Sequence, residues 1–308
     1  MINNDSIQEM MDRINQLRKK RNAVILAHNY VLGEVQDVAD FVGDSLELSI
    51  KAKDVTADVI VFCGVKFMAE TAKILSPSKT VLHPVAAAGC PMADMADVEK
   101  LKKLKALHPG AVTVCYVNST AEVKTEVDIC CTSANAAKII GAIPPEKEII
   151  FLPDKNLGAN VARELGRKLL LWPGFCPTHM RISAEMIKRK KLEFPDAVVM
   201  AHPECTPEVV AVADVSLSTG GMLRFARETA ARQIIVGTEQ GIIHRLQKEN
   251  PDKMFIPVSE QAVCPNMKLI ELSDVLRSLE NMETEIILPV DIIEKAKGSI
   301  VRMLEMSK

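Results

Sequence analysis

The chain has 308 residues, 48% hydrophobic and 25% charged, proportions that exclude a disordered chain and suit an ordinary globular one. Lys and Arg number 38 against 40 Asp and Glu, and aromatics make up 4%, so neither a basic nucleic-acid surface nor a base-stacking platform is implied. No apolar run approaches the roughly 18 residues of a membrane span, and the polar N-terminus is unlike a secretory signal. The sequence therefore predicts a cytoplasmic protein whose eight cysteines point to metal or catalytic use rather than disulfides.

In chain order, the first predicted element is a helix over Ile7–Lys20, opened by a capping box of Ser6 and Glu9. Apolar runs at Ala23–Ala27, Val59–Phe62, Ala111–Tyr116, Ile149–Leu152, Ala197–Ala201 and Gln233–Val236 read as buried parallel strands. Amphipathic helices over Val98–Leu107, Ala184–Lys191 and Phe225–Ala231 lie between them, and Asp274–Leu279 and Asp291–Met306 read as terminal helices. Alternation of this kind predicts an α/β fold with parallel sheets.

Length alone suggests two domains, but an internal repeat overrides it. His28, Tyr116 and His202 each follow an apolar run, at steps of 88 and 86 residues, and Ser45, Ser133 and Thr219 recur at the same steps. Cys90, Cys176 and Cys264 recur at 86 and 88, each followed by proline. The register predicts three similar αβα units over 1–90, 91–177 and 178–265, with C-terminal helices over 266–308. Ligands of parallel α/β sheets bind at the carboxyl ends of strands. Three such units around a pseudo-threefold axis, each with a parallel four-stranded sheet, would bring the recurring residues to one cavity.

The three Cys-Pro pairs carry the strongest chemical signal. Proline suits the first turn of a helix, so each thiol is expected near a helix N-terminus, where a thiolate is favoured. Three thiolates from distant segments make a soft-metal site and suit a [4Fe–4S] cluster with one open iron. The competing reading of any single pair is a buried structural cysteine before a turn, a reading weakened by three in register. The other cysteines read as structural, and the adjacent Cys130 and Cys131 would face opposite sides of a strand.

His28, Tyr30, Tyr116, His202 and Glu204 can exchange protons, and both tyrosines of the chain fall in this register. Asn118 can orient a carboxylate or carbonyl. Ser45, Ser133 and the loop with Ser218 and Thr219 offer donors to an anion, and His179 in CysProThrHis is a weaker candidate. There is no Walker or GxGxxG motif, so nucleotide binding is unsupported.

Nine segments then resemble the quinolinate synthase family of the NadA type: LAHNYV (26–31), GDSLELS (43–49), AAGCPMADM (87–95), CYVNSTAEVK (115–124), CTSANA (131–136), PGFCPTHM (173–180), AHPEC (201–205), STGGM (218–222) and CPNMK (264–268). The resemblance implies condensation of iminoaspartate with dihydroxyacetone phosphate to quinolinate, phosphate and two waters, for de novo NAD synthesis. It implies a [4Fe–4S] cluster on Cys90, Cys176 and Cys264, with its open iron as Lewis acid. Substrate contacts would fall on His28, Ser45, Tyr116, Val117, Asn118, Ser133, His179, His202, Pro203, Glu204, Ser218 and Thr219. Tyr30, Glu204, His28 and His202 would take catalytic roles, the first two in proton transfer. A functional link to an iminoaspartate-producing enzyme is in keeping with it; nucleic acid and membrane partners are not. An open-iron hydro-lyase and an iron–sulfur sensor are the competing readings, and a sensor would not need proton-transfer groups in register with the cysteines.

Overall fold

A computed structural model describes residues 4–307. Twelve strands form three all-parallel four-stranded sheets with one shared order. The first sheet contains β1 (Ala23–His28), β2 (Phe41–Gly43), β3 (Val59–Cys63) and β4 (Thr80–Leu82), arranged β2-β1-β3-β4. The second repeats this with β5 (Val112–Tyr116), β6 (Ile129–Cys131), β7 (Ile149–Leu152) and β8 (Leu170–Leu171) in the order β6-β5-β7-β8. The third uses β9 (Val198–Ala201), β10 (Val215–Ser216), β11 (Gln233–Gly237) and β12 (Met254–Pro257), ordered β10-β9-β11-β12. Helices flank each sheet, so the α/β class with three similar units is present.

The two central strands of every sheet coincide with the apolar runs of the sequence. They are buried almost throughout because both faces are covered, as in β3, where all five residues are buried. In the third sheet the alternation of strand side chains separates two cores. Met200, Ile234, Val236 and Phe255 join the main core, while Val199, Ala201, Ile235 and Ile256 join a smaller one beneath Ile182 and Ile187.

An unforeseen device opens the second strand of each sheet. Asp40, Asp128 and Asp214 stand at steps of 88 and 86. Their carboxylates accept from the backbone N–H of Ile25 at 2.8 Å, Thr113 at 2.7 Å and Val199 at 2.7 Å. Each aspartate N–H also donates back to the carbonyl of the same residue. The carboxylate thus extends the ladder by one rung where the edge strand begins.

The first helix spans Asn4–Lys20, so Ser6 lies inside it rather than at its start. The helix after β10 spans Thr219–Glu228, six residues earlier than its pattern suggested. Of the C-terminal helices, Leu272–Asn281 lies against the first helix and Val290–Met306 against β6. No described helix is long and apolar enough to cross a membrane.

Candidate active site

The carboxyl ends of all three sheets face one cavity of about 230 Å³. From the first sheet it receives His28, Tyr30, Ser45 and Cys90; from the second, Tyr116, Asn118, Ser133 and Cys176; from the third, His202, Glu204, Thr219 and Cys264. His179 lines it too. Val117, Pro203 and Ser218 do not. Val117 is turned into the protein at 1% exposure, Pro203 uses its carbonyl to accept from Asn160 Nδ2, and Ser218 caps its helix by accepting from Gly221 N.

The loops are held by their own polar contacts. Asp44 caps the helix Ser45–Asp54 through Leu46 N and Glu47 N, which presents Ser45 to the cavity. Its second oxygen receives Ser218 Oγ and Gly220 N, each at 3.3 Å, joining the first and third loops. A Cβ at Gly220 would come within 2.7 Å of that oxygen, so the close approach requires glycine. Asn29 Nδ2 donates to Thr219 Oγ1 at 3.2 Å, leaving the Thr219 hydroxyl proton free for a ligand.

The two histidines at strand ends share one local geometry. Tyr30 N donates to His28 Nδ1, and Glu204 N to His202 Nδ1, each at 3.2 Å. With Nδ1 accepting, the proton of a neutral ring sits on Nε2. Burial is the main cause that drives both pKa values down to about 3, against the pull of Glu204. Both rings are therefore neutral Nε2–H donors at physiological pH. Asn118 Oδ1 is buried without a protein partner, an acceptor open to a ligand.

A hydrogen-bonded chain crosses the cavity. Tyr30 OH meets Thr238 Oγ1 at 2.5 Å, and Thr238 Oγ1 meets His179 Nε2 at 2.8 Å. His179 Nδ1 lies 2.8 Å from Glu204 Oε2, while Tyr116 OH donates to Glu204 Oε1. Burial, seconded by the Glu204 charge, raises both tyrosines well above their ordinary value, so they stay phenols. Burial would raise Glu204 as well, but His179 and the hydrogen bond from Tyr116 hold it well below the usual range. Glu204 is an anion here. The sequence ranked His179 low and missed Thr238, yet these two join the tyrosines.

Cys90, Cys176 and Cys264 are free and partly buried, and they are the only described cysteines lining the cavity. Asn266 Nδ2 donates to Gly89 O at 2.7 Å, tying the Cys264 loop to the Cys90 loop. Glu239, wholly buried, accepts from Cys264 N at 3.1 Å and pairs with Lys268 at 2.9 Å. The expected lowering of the thiols at helix N-termini is not found. Cys90 precedes a helix of four residues, and the other two precede three-residue 3₁₀ turns, too short for a full end charge. Burial dominates and pushes Cys90 up to about 12, and it raises Cys176 and Cys264 as well. A thiolate set here calls for a bound cation. The donor set fits one: Cys90 is near enough to both other thiols for their charges to oppose one another. Cys176, His179 and Glu204 also place ligand atoms within 4.8 Å of one another, a grouping already satisfied by its own hydrogen bonds.

The family model described as Quinolinate synthetase A protein matches residues 12–305. The chain belongs to the quinolinate synthase family. It is 56% identical over 295 residues to a quinolinate synthase of Dehalococcoides mccartyi, covering 96% of this chain and 97% of that one. A quinolinate synthase of Geobacter metallireducens is 53% identical, with 96% and 97% covered, and one of Pelobacter propionicus 52%, with 99% of each.

Proposed function

We propose that this chain makes quinolinate for NAD biosynthesis, condensing iminoaspartate with dihydroxyacetone phosphate and releasing phosphate and water. The observation that carries the reading is the proton-transfer chain between Tyr30 and Tyr116, inside the cavity that also gathers the three thiols. Closing the pyridine ring demands several proton transfers and two dehydrations, and a single isolated acid would not serve them all. Cys90, Cys176 and Cys264 would hold a [4Fe–4S] cluster, which when bound supplies a Lewis-acidic iron for a substrate oxygen.

The chain's own residues do the remainder. His28 and His202 donate Nε2–H to substrate carboxylate or carbonyl oxygens, and being neutral they do not compete as strong acids. Asn118 Oδ1 accepts from a substrate N–H or O–H. Ser45, Ser133 and Thr219 offer hydroxyl protons to anionic groups. As Tyr30 takes a proton from substrate at its phenol oxygen, it passes its own to Thr238, and Thr238 passes one to His179 Nε2. Glu204 holds the imidazolium that results, as an ionised carboxylate beside a histidine does. The buried cavity shields hydrolysable imines from water. The iminoaspartate-producing reaction would be a functional neighbour, since the imine hydrolyses in water.

Anaerobically purified protein tests this directly. It should carry about four iron per chain and form quinolinate from the two substrates. Protein with iron but no quinolinate formation would refute the reaction, and quinolinate formation without iron would refute the cluster.

A further inference from the structure

Behind Thr219 the cavity wall holds a relay of polar side chains that the threefold register does not repeat. Arg245, half-buried on the helix Ile242–Glu249, donates from one terminal guanidinium nitrogen to Asn29 Oδ1 at 3.1 Å and to the carbonyl of Val42. Its Nε pairs with Glu249 at 2.6 Å. Asn29 is wholly buried, and its Nδ2 donates to Thr219 Oγ1 at 3.2 Å. Thr219 lines the cavity; Asn29 and Arg245 do not. A guanidinium can only donate, so the amide atom beside it has to be the oxygen, and the nitrogen has to face Thr219.

The same place in the other two units is built differently. At steps of 88 and 86, the counterparts of Asn29 are Val117 and Pro203, and those of Arg245 are Thr71 and Ala159. The correspondence is spatial as well. Ser45, Thr71 and Val117 line one small void of about 10 Å³, as Thr219, Arg245 and Asn29 adjoin in the third position. Thr71 turns its hydroxyl back to Phe67 O at 2.8 Å. Val117, Pro203 and Ala159 have no side-chain hydrogen-bonding group. Ser45 and Ser133 therefore receive no donor from these positions, and Thr219 does.

We propose that Arg245 is a positioning residue for substrate binding: by fixing the Asn29 amide, it commits Thr219 as a hydrogen-bond donor to an anionic group, a carboxylate or a phosphate. This rests on the reading of Thr219 as an anion contact. Guanidinium, amide and hydroxyl form one line of donors of the same sense, with the cation behind and the anion in front. Each bond in such a chain polarises the next. Without Arg245 the amide turns over. Asn29 Oδ1 then accepts the Thr219 proton, and an anion in the cavity meets lone pairs where it had met a donor.

The test is a double-variant cycle on the full chain, prepared anaerobically, with the KM of each substrate read from quinolinate formation and iron measured alongside. Arg245→Met should raise KM about tenfold or more for the substrate whose KM Thr219→Val raises, as expected for one lost hydrogen bond to a charged group. Iron should be retained. In the Thr219→Val chain, Arg245→Met should change that KM less than about twofold, since no hydroxyl is left to misdirect. Asn29→Asp is a second route, because it keeps the bond to Arg245 but turns only acceptors to Thr219. It should raise KM in the same way, again with little effect beside Thr219→Val, and it decides the matter if Arg245→Met folds poorly. An equal rise in both backgrounds would mean that Arg245 merely braces the loops. No rise with Thr219 intact would mean that the amide needs no guide. Either result overturns the proposal. A Thr219→Val chain with native KM would overturn it too while leaving the reaction standing, and a native chain that forms no quinolinate would end both.

Discussion

Thr238 gives the cavity its continuity, because its single hydroxyl touches both Tyr30 and His179. Thr238→Val keeps the shape and removes the link. Turnover should fall at least about 10²-fold, the lower range of general acid–base help, with iron content unchanged; normal turnover would take Thr238 out of the proton path. Thr219→Val tests an anion contact instead. Losing one hydrogen bond to a charged group costs about 1.5–3 kcal/mol, expected as a tenfold or greater rise in KM with the iron retained. His28, Tyr116 and His202 were legible because the repeat puts polar residues at all three positions. Thr238 occupies the same 88 and 86 register as Gly64 and Leu152, where its counterparts carry no chemistry, so the register gave no signal. His179 has a similar history: its role depends on a fold that sets it between Thr238 and Glu204, far away in sequence.

Among the elements, the aspartates before β2, β6 and β10 replace the ladder bonds that short edge strands cannot make. Asp128→Ala should destabilise the chain by about 1.5 kcal/mol, the lower value for a hydrogen bond to a charged group at a partly exposed site, seen as a lower urea midpoint. An unshifted midpoint would mean that water replaces the carboxylate without cost. The same edges explain what the sequence hid. All six central strands were visible as apolar runs, whereas the six edge strands have only two to four residues, too few for a period to emerge. Their existence was inferable only from the repeat. The capping box at Ser6 misplaced the start of the helix, because Asn4 and Asp5 are already helical and an N-cap residue lies outside the helix it opens.

At the scale of the molecule, stability and the site draw on the same buried groups. His28 and His202 are neutral when folded, with pKa values near 3 against 6.5 for the free side chain. Unfolding lets them take up protons below pH 6.5, so their contribution is intact above that value and is lost as pH falls towards 3. From pH 7 to 5 the loss is about 2 kcal/mol per histidine. Glu204 adds nothing in this window, being ionised in both states. The double variant His28→Asn, His202→Asn should therefore lose markedly less stability over that interval in urea titrations; an equal loss would mean that the rings are protonated in the fold. The helix Val290–Met306 closes the second sheet with Ala296, Ile300 and Met303, each at 0% exposure. Ile300→Ala should cost about 2–5 kcal/mol, and a smaller shift in the urea midpoint would show that the helix docks loosely.

The division of the three thiols, one behind each sheet, also gives the protein a way to count. A molecule with any one sheet unformed presents two cysteines, as does one whose third loop has yet to dock. Only a chain with all three loops docked brings the three thiols to one cavity, so the metal centre proposed for them would load after the last piece is in place. Loading would then act as a final inspection, sorting finished chains from unfinished ones.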